Sequence, residues 1–369
     1  MSESPHRDLA ATSAALRPLL AAQLGIDEVE VSGLMLPKAG YSNETIMFTA
    51  AWAGPDGRRE QDLVLRIEPT GHQLFVQPDA IAQAEVMRGL AGHPGVPVPR
   101  VWLTAADRTL FGAPFYVMER RPGRVPGDVP SYHRSGWVVD LTPGERTRMH
   151  DAALAALASL HRVDPAQGLG FLNTGGDTGG DTGGGAGGPG TALNRYLDQL
   201  VRWNEWCGSS RRFGPDVLDA AMAHLLGNRP DDPAAGVVWG DARVGNMIFA
   251  DDLSVSAMLD WEAATVGPPG IDLGWWLMFE DYLCEAQGLE RLPGVPDRAA
   301  TIARYQELGG AEIADVDWYE LLACVVMALI GSRLADLLVS SGRAPEDVAR
   351  KYPERSVRMA ARLLEGSRR

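Results

Sequence analysis

Residues 236–276 read GVVWGDARVGNMIFADDLSVSAMLDWEAATVGPPGIDLGWW, and this stretch carries the most informative pattern in the chain. It opens with an apolar run, Val237 to Trp239, which predicts a short strand. Gly240 follows, and a residue without a side chain lets the backbone turn sharply. The carboxylate of Asp241 is therefore predicted to stand at the exit of a strand.

Two more polar side chains stand beside the next apolar runs. Asn246 precedes the run 247–250, and Asp260 ends the run 255–259. Kinase-like enzymes use this Asp-x-x-x-x-Asn spacing with a distant Asp at a strand end, because phosphoryl transfer to a hydroxyl needs a base and oxygen ligands for Mg²⁺. Asp241 is the candidate base, and Asn246 and Asp260 are the candidate metal ligands. Each residue alone is equally well explained as a turn cap, but the joint spacing favours the chemistry.

A longer pattern contains these residues: Trp239-Gly240-Asp241-Ala242-Arg243-Val244-Gly245-Asn246, then Leu259-Asp260-Trp261-Glu262 and the run 267–273. It resembles the aminoglycoside phosphotransferase family, the small-molecule branch of the protein-kinase-like fold. It is most similar to the branch related to the kinase-like domain fused to some acyl-CoA dehydrogenases. Two departures stand out: Trp239 replaces the usual His, and Gly267-Pro268-Pro269 replaces the usual Gly-Asp-Pro. We interpret neither departure as abolishing catalysis.

The resemblance implies an α+β fold of two lobes. The predicted N-terminal nucleotide-binding lobe, residues 1–118, has a small antiparallel sheet, and a hinge at 119–123 leads to the mostly helical catalytic and substrate lobe, 124–369. Apolar periodicity predicts helices at 8–24, 78–90, 142–163, 192–207, 215–226, 298–308, 318–340 and 345–365. Thr142, Pro143 and Glu145 form the start signal of the third of these helices. The Gly-rich residues 175–190 are predicted to be a mobile insert in the second lobe.

Nucleotide-binding residues are assigned by the same resemblance. The loop with Ser42 and Asn43 matches the family's phosphate loop, although an ordinary hairpin turn explains these residues as well. Arg66, at the end of a strand, takes the place of the phosphate-gripping Lys of protein kinases and would be held by Glu85 on the next helix. The alternative is a surface arginine and an unrelated helical glutamate.

The predicted hinge supplies the remaining nucleotide contacts. Backbone groups of Glu119 and Arg121, beside Met118, would pair with adenine. A plain strand end is the alternative, because backbone pairing leaves no side-chain pattern.

Four other residues near the central stretch receive roles. Arg243 is a second catalytic candidate that would neutralise charge on the transferred phosphate, and a surface salt bridge is an almost equal alternative. Asp272 caps a helix or hydrogen-bonds the catalytic loop, and we favour a structural role for it. Trp275 and Trp276 are predicted to belong to the core.

Composition restricts the partners. The chain has 369 residues, 45% of them hydrophobic, and a formal charge of −14, which argues against nucleic-acid or anionic-membrane binding. No apolar stretch is expected to span a membrane. The three cysteines show no metal or disulfide spacing, so a reducing cytoplasm is predicted. Six acidic residues could form an anionic pocket for a polyamine substrate, but a solvated helix face explains them as well: Glu280, Asp281, Glu285, Asp315, Asp317 and Glu320.

The sequence therefore predicts a phosphotransferase that uses ATP, or GTP, with Mg²⁺ to phosphorylate a hydroxyl of a small molecule. An aminoglycoside-like antibiotic is one acceptor class, and a hydroxyacyl thioester or hydroxy acid is another. A nucleotide-binding pseudokinase without turnover is the rival from a different class, motivated by Trp239 and Arg66. The sequence does not predict the oligomeric state.

Overall fold

The computed structural model describes residues 7–36, 44–69, 79–174, 191–208, 213–231 and 234–366. The chain divides into two compact units. The first comprises 1–73, 77–91 and 98–122, and the second comprises 74–76, 92–97 and 123–369. The predicted α+β class is confirmed, with a larger antiparallel sheet in the N-terminal part and mostly helices in the C-terminal part.

The first unit is built around one antiparallel sheet with strand order β1-β2-β3-β5-β4. Ile46 and Leu65 face each other across β2 and β3 and are fully buried. Leu16 and Leu20 of the first helix join the same core cluster, so the helix covers one face of the sheet. The elements are α1 (Leu9–Leu24), β1 (Glu30–Met35), β2 (Glu44–Gly54), β3 (Gly57–Ile67), α2 (Ala80–Leu90), β4 (Val101–Ala105) and β5 (Phe115–Glu119).

The second unit is mostly helical, with two small two-stranded sheets, β6 with β9 and β7 with β8. Its described elements are α3 (Pro143–His161), α4 (Ala192–Trp206), α5 (Pro215–Gly227), β6 (Gly236–Val238), β7 (Met247–Phe249), β8 (Val255–Met258), β9 (Thr265–Gly267), α6 (Gly270–Leu283), α7 (Arg298–Glu307), α8 (Val316–Ser340), α9 (Glu346–Ala349) and α10 (Lys351–Gly366). The insert at 175–190 lies outside the described residues.

The start of α3 follows its sequence signal. The hydroxyl of Thr142 accepts a hydrogen bond from the backbone N–H of Glu145, and the Glu145 carboxylate accepts one from the N–H of Thr142 at 2.7 Å. The single helix predicted at 345–365 is wrong, because the segment forms the one-turn α9 and a separate α10. Pro353 lacks an N–H to donate, and it stands in the first turn of α10, where no such bond is needed.

Helix α8 corrects the expectation that no segment is long and apolar enough to cross a membrane. Its 25 residues meet that criterion by length and composition. However, 61% of its most apolar window is buried inside the protein, where α8 packs against α6 and α10. A core helix passes the same test, so α8 by itself is weak evidence for a membrane.

Candidate active site

The hairpin of β7 and β8 brings Asn246 and Asp260 to the same end of a small sheet. Met247 pairs with Met258 across the hairpin, and the N–H of Leu259 donates to the carbonyl of Asn246 at 2.9 Å. Asp260 follows directly with φ of 54°, a left-handed conformation that is uncommon for a residue other than glycine. Such backbone strain is concentrated at functional sites.

A glycine turn places Asp241 at the end of β6. Gly240 has φ of 84°, and a Cβ there would lie 2.3 Å from the carbonyl oxygen of Ala263. Only glycine fits this close approach without moving the backbone of its neighbour. The predicted turn ahead of Asp241 is therefore present, and its cause is both the backbone conformation and the neighbouring chain.

Asp272, in the first turn of α6, stabilises the glycine turn that precedes Asp241. Its buried carboxylate accepts hydrogen bonds from the backbone N–H groups of Trp239, at 2.6 Å, and Gly240, at 2.7 Å. Nε2 of His161 lies 3.0 Å from the same carboxylate, and Nδ1 of His161 lies 2.7 Å from the hydroxyl of Tyr305. Asp272 therefore supports the loop that carries Asp241, which agrees with the structural role favoured for it.

Trp239, the residue that departs from the family pattern, also supports the loop. Its indole N–H donates to the carbonyl of Leu259 at 2.8 Å, beside Asp260. Its ring packs against Trp261 with 5.5 Å between ring centroids. The indole thus links the strand before Asp241 to the strand before Asp260, so the substitution leaves both carboxylates supported.

Asp241 is surrounded by hydrogen-bond donors. Oδ1 accepts from Nε of Arg243 at 2.9 Å and from the indole N–H of Trp275 at 3.0 Å. Oδ2 accepts from the amide of Asn246 at 2.6 Å and from Nη2 of Arg243 at 3.3 Å. The Asn246 amide also donates to the backbone carbonyl of Asp241 at 3.0 Å. These contacts orient the Asp241 carboxylate and hold it next to Asn246.

Arg243 bridges two carboxylates. Besides Asp241 it donates through Nη1 to Asp128, and its guanidinium lies 4.8 Å from the centre of the Phe279 ring. Burial alone lowers the pKa of Arg243, but the adjacent Asp241 and Asp128 carboxylates raise it above its usual range. Burial raises the pKa of Asp128, against the opposing charge of Arg243. Because only 17% of its side chain is exposed, Arg243 is more than a surface salt bridge.

Trp275 and Asp128 are the contacts that sequence reasoning missed. Trp275 is buried, as predicted for a core residue, yet its N–H reaches Asp241. The contact could have been predicted, because Trp275 stands three residues after Asp272 and hence on the same face of the helix. Asp128 lies in a loop between Gly127 and Val129 whose sequence carries no spacing or periodicity that could have predicted the contact.

The predicted ion pair between Arg66 and Glu85 is wrong for the described part of the chain. Glu85 instead pairs with Arg88, one turn further along α2. Arg66 lies opposite Thr45 in the sheet and donates to its hydroxyl at 3.3 Å. Side chains of directly opposed strand residues are close, whereas Glu85 is drawn to a cation on its own helix.

The other nucleotide-binding candidates lie in or near the first sheet. Met118 and Glu119 end β5, and the N–H of Glu119 donates to the carbonyl of Arg100 at 2.8 Å. Arg121 forms an ion pair with Glu119 at 3.2 Å. Ser42 and Asn43 lie outside the described residues, so their assignment stays a prediction, as do the roles of the hinge residues.

Several of the acidic residues named above are paired with arginine. Arg298 contacts both Asp317 and Glu320, and Arg291 contacts both Glu280, at 3.7 Å, and Glu285, at 3.4 Å. The paired carboxylates are therefore already balanced by cations of the chain itself. These pairs do not support an anionic pocket for a polyamine.

The oxygen atoms at the end of the hairpin suit a hard divalent cation. The Asn246 amide nitrogen is engaged by Asp241, which turns its carbonyl oxygen away from that carboxylate. Asp260 supplies a carboxylate beside it. Carboxylate and amide oxygens without histidine or cysteine favour Mg²⁺ over zinc or copper. The residues present therefore fit the predicted metal, and Asn246 and Asp260 would hold it.

This combination of fold and site defines the class of kinase-like phosphotransferases. The chain belongs to the phosphotransferase enzyme family, whose model matches residues 34–312.

The curated relatives are longer proteins. Human acyl-CoA dehydrogenase family member 11 is 25% identical over 303 residues, which cover 80% of this chain and 34% of the relative. Mouse acyl-CoA dehydrogenase family member 10 is 28% identical over 273 residues, covering 73% of this chain and 22% of the relative. The chain thus spans about a third or less of these relatives' length.

Solved structures share the fold. A Ralstonia eutropha protein classed provisionally as an aminoglycoside phosphotransferase aligns with a TM-score of 0.68 and 23% identity, covering 96% of this chain and 98% of the other. The aminoglycoside phosphotransferase APH(4)-Ia, in a ternary complex with ADP and hygromycin B, aligns with a TM-score of 0.56 and 14% identity over 95% of this chain and 98% of its own. At these identities the likeness establishes the fold alone.

Proposed function

We propose that the protein transfers the γ-phosphoryl group of ATP, or of GTP, to a hydroxyl of a small molecule with the help of Mg²⁺. One observation carries the proposal: the Asp241 carboxylate is held by the Asn246 amide, at the end of the hairpin that also carries Asp260. Solved relatives that contain ADP or GDP support a nucleotide as the donor.

In the proposed reaction Asp241 acts as the base. It accepts the proton of the acceptor hydroxyl while the acceptor oxygen bonds to the γ-phosphorus. The bond from that phosphorus to the bridging oxygen breaks, and the nucleoside diphosphate leaves. Mg²⁺, when bound, neutralises phosphate charge. Asn246 and Asp260 would hold the metal, and Arg66 would supply cationic charge from the chain, whereas the charge of Arg243 is already balanced by Asp241 and Asp128.

The first test is thermal stabilisation by ATP or GTP, with and without Mg²⁺. A ligand that binds only the folded state raises the melting temperature. We expect a Mg²⁺-dependent rise in the wild type, its loss in Asp260→Ala, and its retention in Asp241→Asn. No rise with either nucleotide at about millimolar concentration would contradict the proposal, because enzymes of this type bind their substrates at or below that level.

A second measurement separates an enzyme from a nucleotide-binding pseudokinase. Phosphoryl transfer from labelled ATP to a panel of hydroxyl compounds is followed for wild type and Asp241→Asn. We expect the substitution to lower the rate by at least about a hundredfold, since removal of a positioned base typically has that effect. Equal rates, or none above background in the wild type, would favour the pseudokinase.

Two acceptor classes are proposed for that panel. Aminoglycosides are supported by the solved relatives that hold hygromycin B or kanamycin. Hydroxyacyl thioesters and hydroxy acids are supported by the acyl-CoA dehydrogenase family relatives and by the arginine partners of the acidic residues. Salt distinguishes them. With a net charge of −14, kcat/KM for a cationic acceptor should fall as salt rises, whereas that for an anionic hydroxy acid should rise, because salt screens its repulsion from the protein.

We also infer a reducing compartment, the cytoplasm, for this protein. The inference is supported by Cys284 and Cys324, which are both buried free thiols. Thiols without disulfide partners are typical of proteins kept in reducing surroundings.

A further inference from the structure

The candidate base has no room for another hydrogen bond. A carboxylate offers about four acceptor positions, two on each oxygen. For Asp241 these are met by Nε and Nη2 of Arg243, the indole N–H of Trp275 and the amide of Asn246. A substrate hydroxyl can donate to Asp241 only when one of these donors leaves.

Of the three side chains that donate, Arg243 is the one able to leave. Trp275 is 5% exposed and stacked on Phe279, and Asn246 is 3% exposed and also holds the Asp241 backbone carbonyl. Arg243 has a side chain that is 17% exposed and already contacts a second carboxylate.

Asp128 can accept the hydrogen bonds that Arg243 gives up when it leaves Asp241. Its Oδ2 accepts from Nη1 of Arg243, while its Oδ1 is buried and has no hydrogen-bond partner in the described part of the chain. A guanidinium that leaves Asp241 can therefore pair with both oxygens of Asp128, the strong two-bond geometry of arginine and carboxylate. Phe279 supports the guanidinium at 4.8 Å.

Gly245 makes room for this pair. A Cβ at that position would lie 2.5 Å from Oδ1 of Asp128 and 2.6 Å from Nη1 of Arg243. A side chain larger than that of glycine at this position would therefore require the carboxylate of Asp128 or the guanidinium of Arg243 to shift.

We propose that the acceptor hydroxyl displaces Arg243 from Asp241, and that Asp128 is the positioning residue that draws Arg243 away. The inference rests on the proposed function, because it assigns Asp241 as the base. In the resting protein Arg243 blocks Asp241, which limits the wasteful transfer of phosphate to water. Water would otherwise give its proton to Asp241 and its oxygen to the γ-phosphorus, releasing the nucleoside diphosphate and inorganic phosphate.

The test is the hydrolysis of ³²P-labelled ATP with Mg²⁺ and without any acceptor, measured under single-turnover conditions. Four proteins are compared: wild type, Arg243→Met, Asp128→Asn and the double variant. We expect Arg243→Met to raise the rate about tenfold and Asp128→Asn to lower it by a similar factor, the size of one coupled contact. In the Arg243→Met background, Asp128→Asn should have no effect, because Asp128 acts only through Arg243.

Two results would overturn the inference. One is hydrolysis in Arg243→Met that is no faster than in the wild type. The other is an Asp128→Asn effect of equal size in both backgrounds, which would show a role independent of Arg243. Gly245→Ala is the second variant, should Asp128→Asn fail to fold, and is expected to lower hydrolysis only while Arg243 is present.

Failure of the proposed function gives a different pattern. If Mg²⁺-ATP does not stabilise the wild type, or if Asp241→Asn hydrolyses ATP as fast as the wild type, Asp241 is not the base. If the nucleotide raises the melting temperature equally in all four proteins and only the hydrolysis rates differ, the substitutions act on the contact between Asp241 and Arg243 and not on nucleotide binding.

Discussion

Two adjacent tryptophans have different hydrogen bonds although both are buried. Trp275 donates its N–H to Oδ1 of Asp241, whereas Nε1 of Trp276 has no partner among the described residues. Burial alone is readable from the sequence, since both residues are large and apolar in the run 270–283. Which of the two reaches Asp241 depends on the rotation of α6, and that rotation is set by packing.

This difference yields a prediction with a matched control. Trp275→Phe removes a hydrogen bond to a carboxylate, which typically contributes about 1.5–3 kcal/mol. We expect the rate of phosphoryl transfer to fall roughly ten- to a hundredfold. Trp276→Phe makes the same change in side-chain size, but the N–H that it removes has no hydrogen-bond partner among the described residues. This variant should therefore keep the rate within about twofold of wild type. Equal losses in both variants would show that packing, and not the hydrogen bond to Asp241, is responsible.

The positions of single residues were predicted correctly where both the residue type and the spacing match the motif. Asp241, Asn246 and Asp260 stand at turns and strand ends, because glycine and short strands restrict the backbone between them. The predicted Arg66–Glu85 pair is wrong because Arg88 stands one turn from Glu85 on the same helix and pairs with it. Arg66 lies on a strand, and its distance from Glu85 depends on how the fold places the strand and the helix.

Helices α6 and α8 pack closely because α6 has glycine where it contacts α8. Cβ atoms at Gly270 and Gly274 would lie within 2.5 Å of Tyr319, at its ring and its backbone respectively. Because α6 carries Asp272 in its first turn and Trp275 one turn later, this contact determines where both side chains stand. Close packing of two helices thus supports the site from a distance.

The contact can be tested with Gly274→Ala. The added methyl group would lie 2.5 Å from the backbone of Tyr319, so the helices must separate. We expect a loss of about 1–3 kcal/mol in the free energy of unfolding, measured with urea, together with a lower rate of phosphoryl transfer. Gly144→Ala is the control, since Gly144 is exposed in α3 and nothing lies within 4 Å of its added Cβ. A Gly274→Ala protein as stable as Gly144→Ala would contradict the prediction.

Prediction of elements was best where local signals were complete. Helix α3 begins at its capping box, and α1 ends before Gly25, which adopts φ of 68°. Strand β9 was missed because three residues carry too little periodicity, and its pairing of Val266 with Val237 exists only once the chain has folded.

At the scale of the whole molecule, the interior contains ionisable groups that couple stability to pH. His150 is fully buried, and its two ring nitrogens have no hydrogen-bond partner in the described residues. Burial lowers the pKa of His150 below its ordinary value of 6.5, although nearby Glu280 opposes this. The native state therefore keeps His150 neutral at a pH where the unfolded chain binds a proton.

The sign of the pH dependence follows. Below pH 6.5 the unfolded state binds more protons than the native state, so stability falls as the pH falls. We expect the free energy of unfolding to decrease by up to about 1.4 kcal/mol per pH unit below that value through His150. Glu280 does not contribute in this range, because its pKa is lowered from 4.5: burial would raise it, but His133 and the hydrogen bond that Glu280 accepts from Tyr132 lower it.

The measurement is urea unfolding of wild type and His150→Leu from pH 7.5 to 5.5. The variant should lose part of the slope between stability and pH that the wild type shows. Identical slopes in wild type and His150→Leu would show that His150 is protonated in the native state as readily as in the unfolded chain.

The amino-acid sequence by itself determined most of the helices and the positions of Asp241, Asn246 and Asp260 at element ends, and the motif around these residues implied the fold class by resemblance. These depend on periodicity, turn residues and spacing, which act over a few residues. Only the tertiary structure decided that Trp275, Arg243 and Asn246 together occupy the Asp241 carboxylate, and that Asp128 stands beside Arg243. Asp128 and Arg243 are 115 positions apart, and contacts over such distances depend on how packed elements orient side chains.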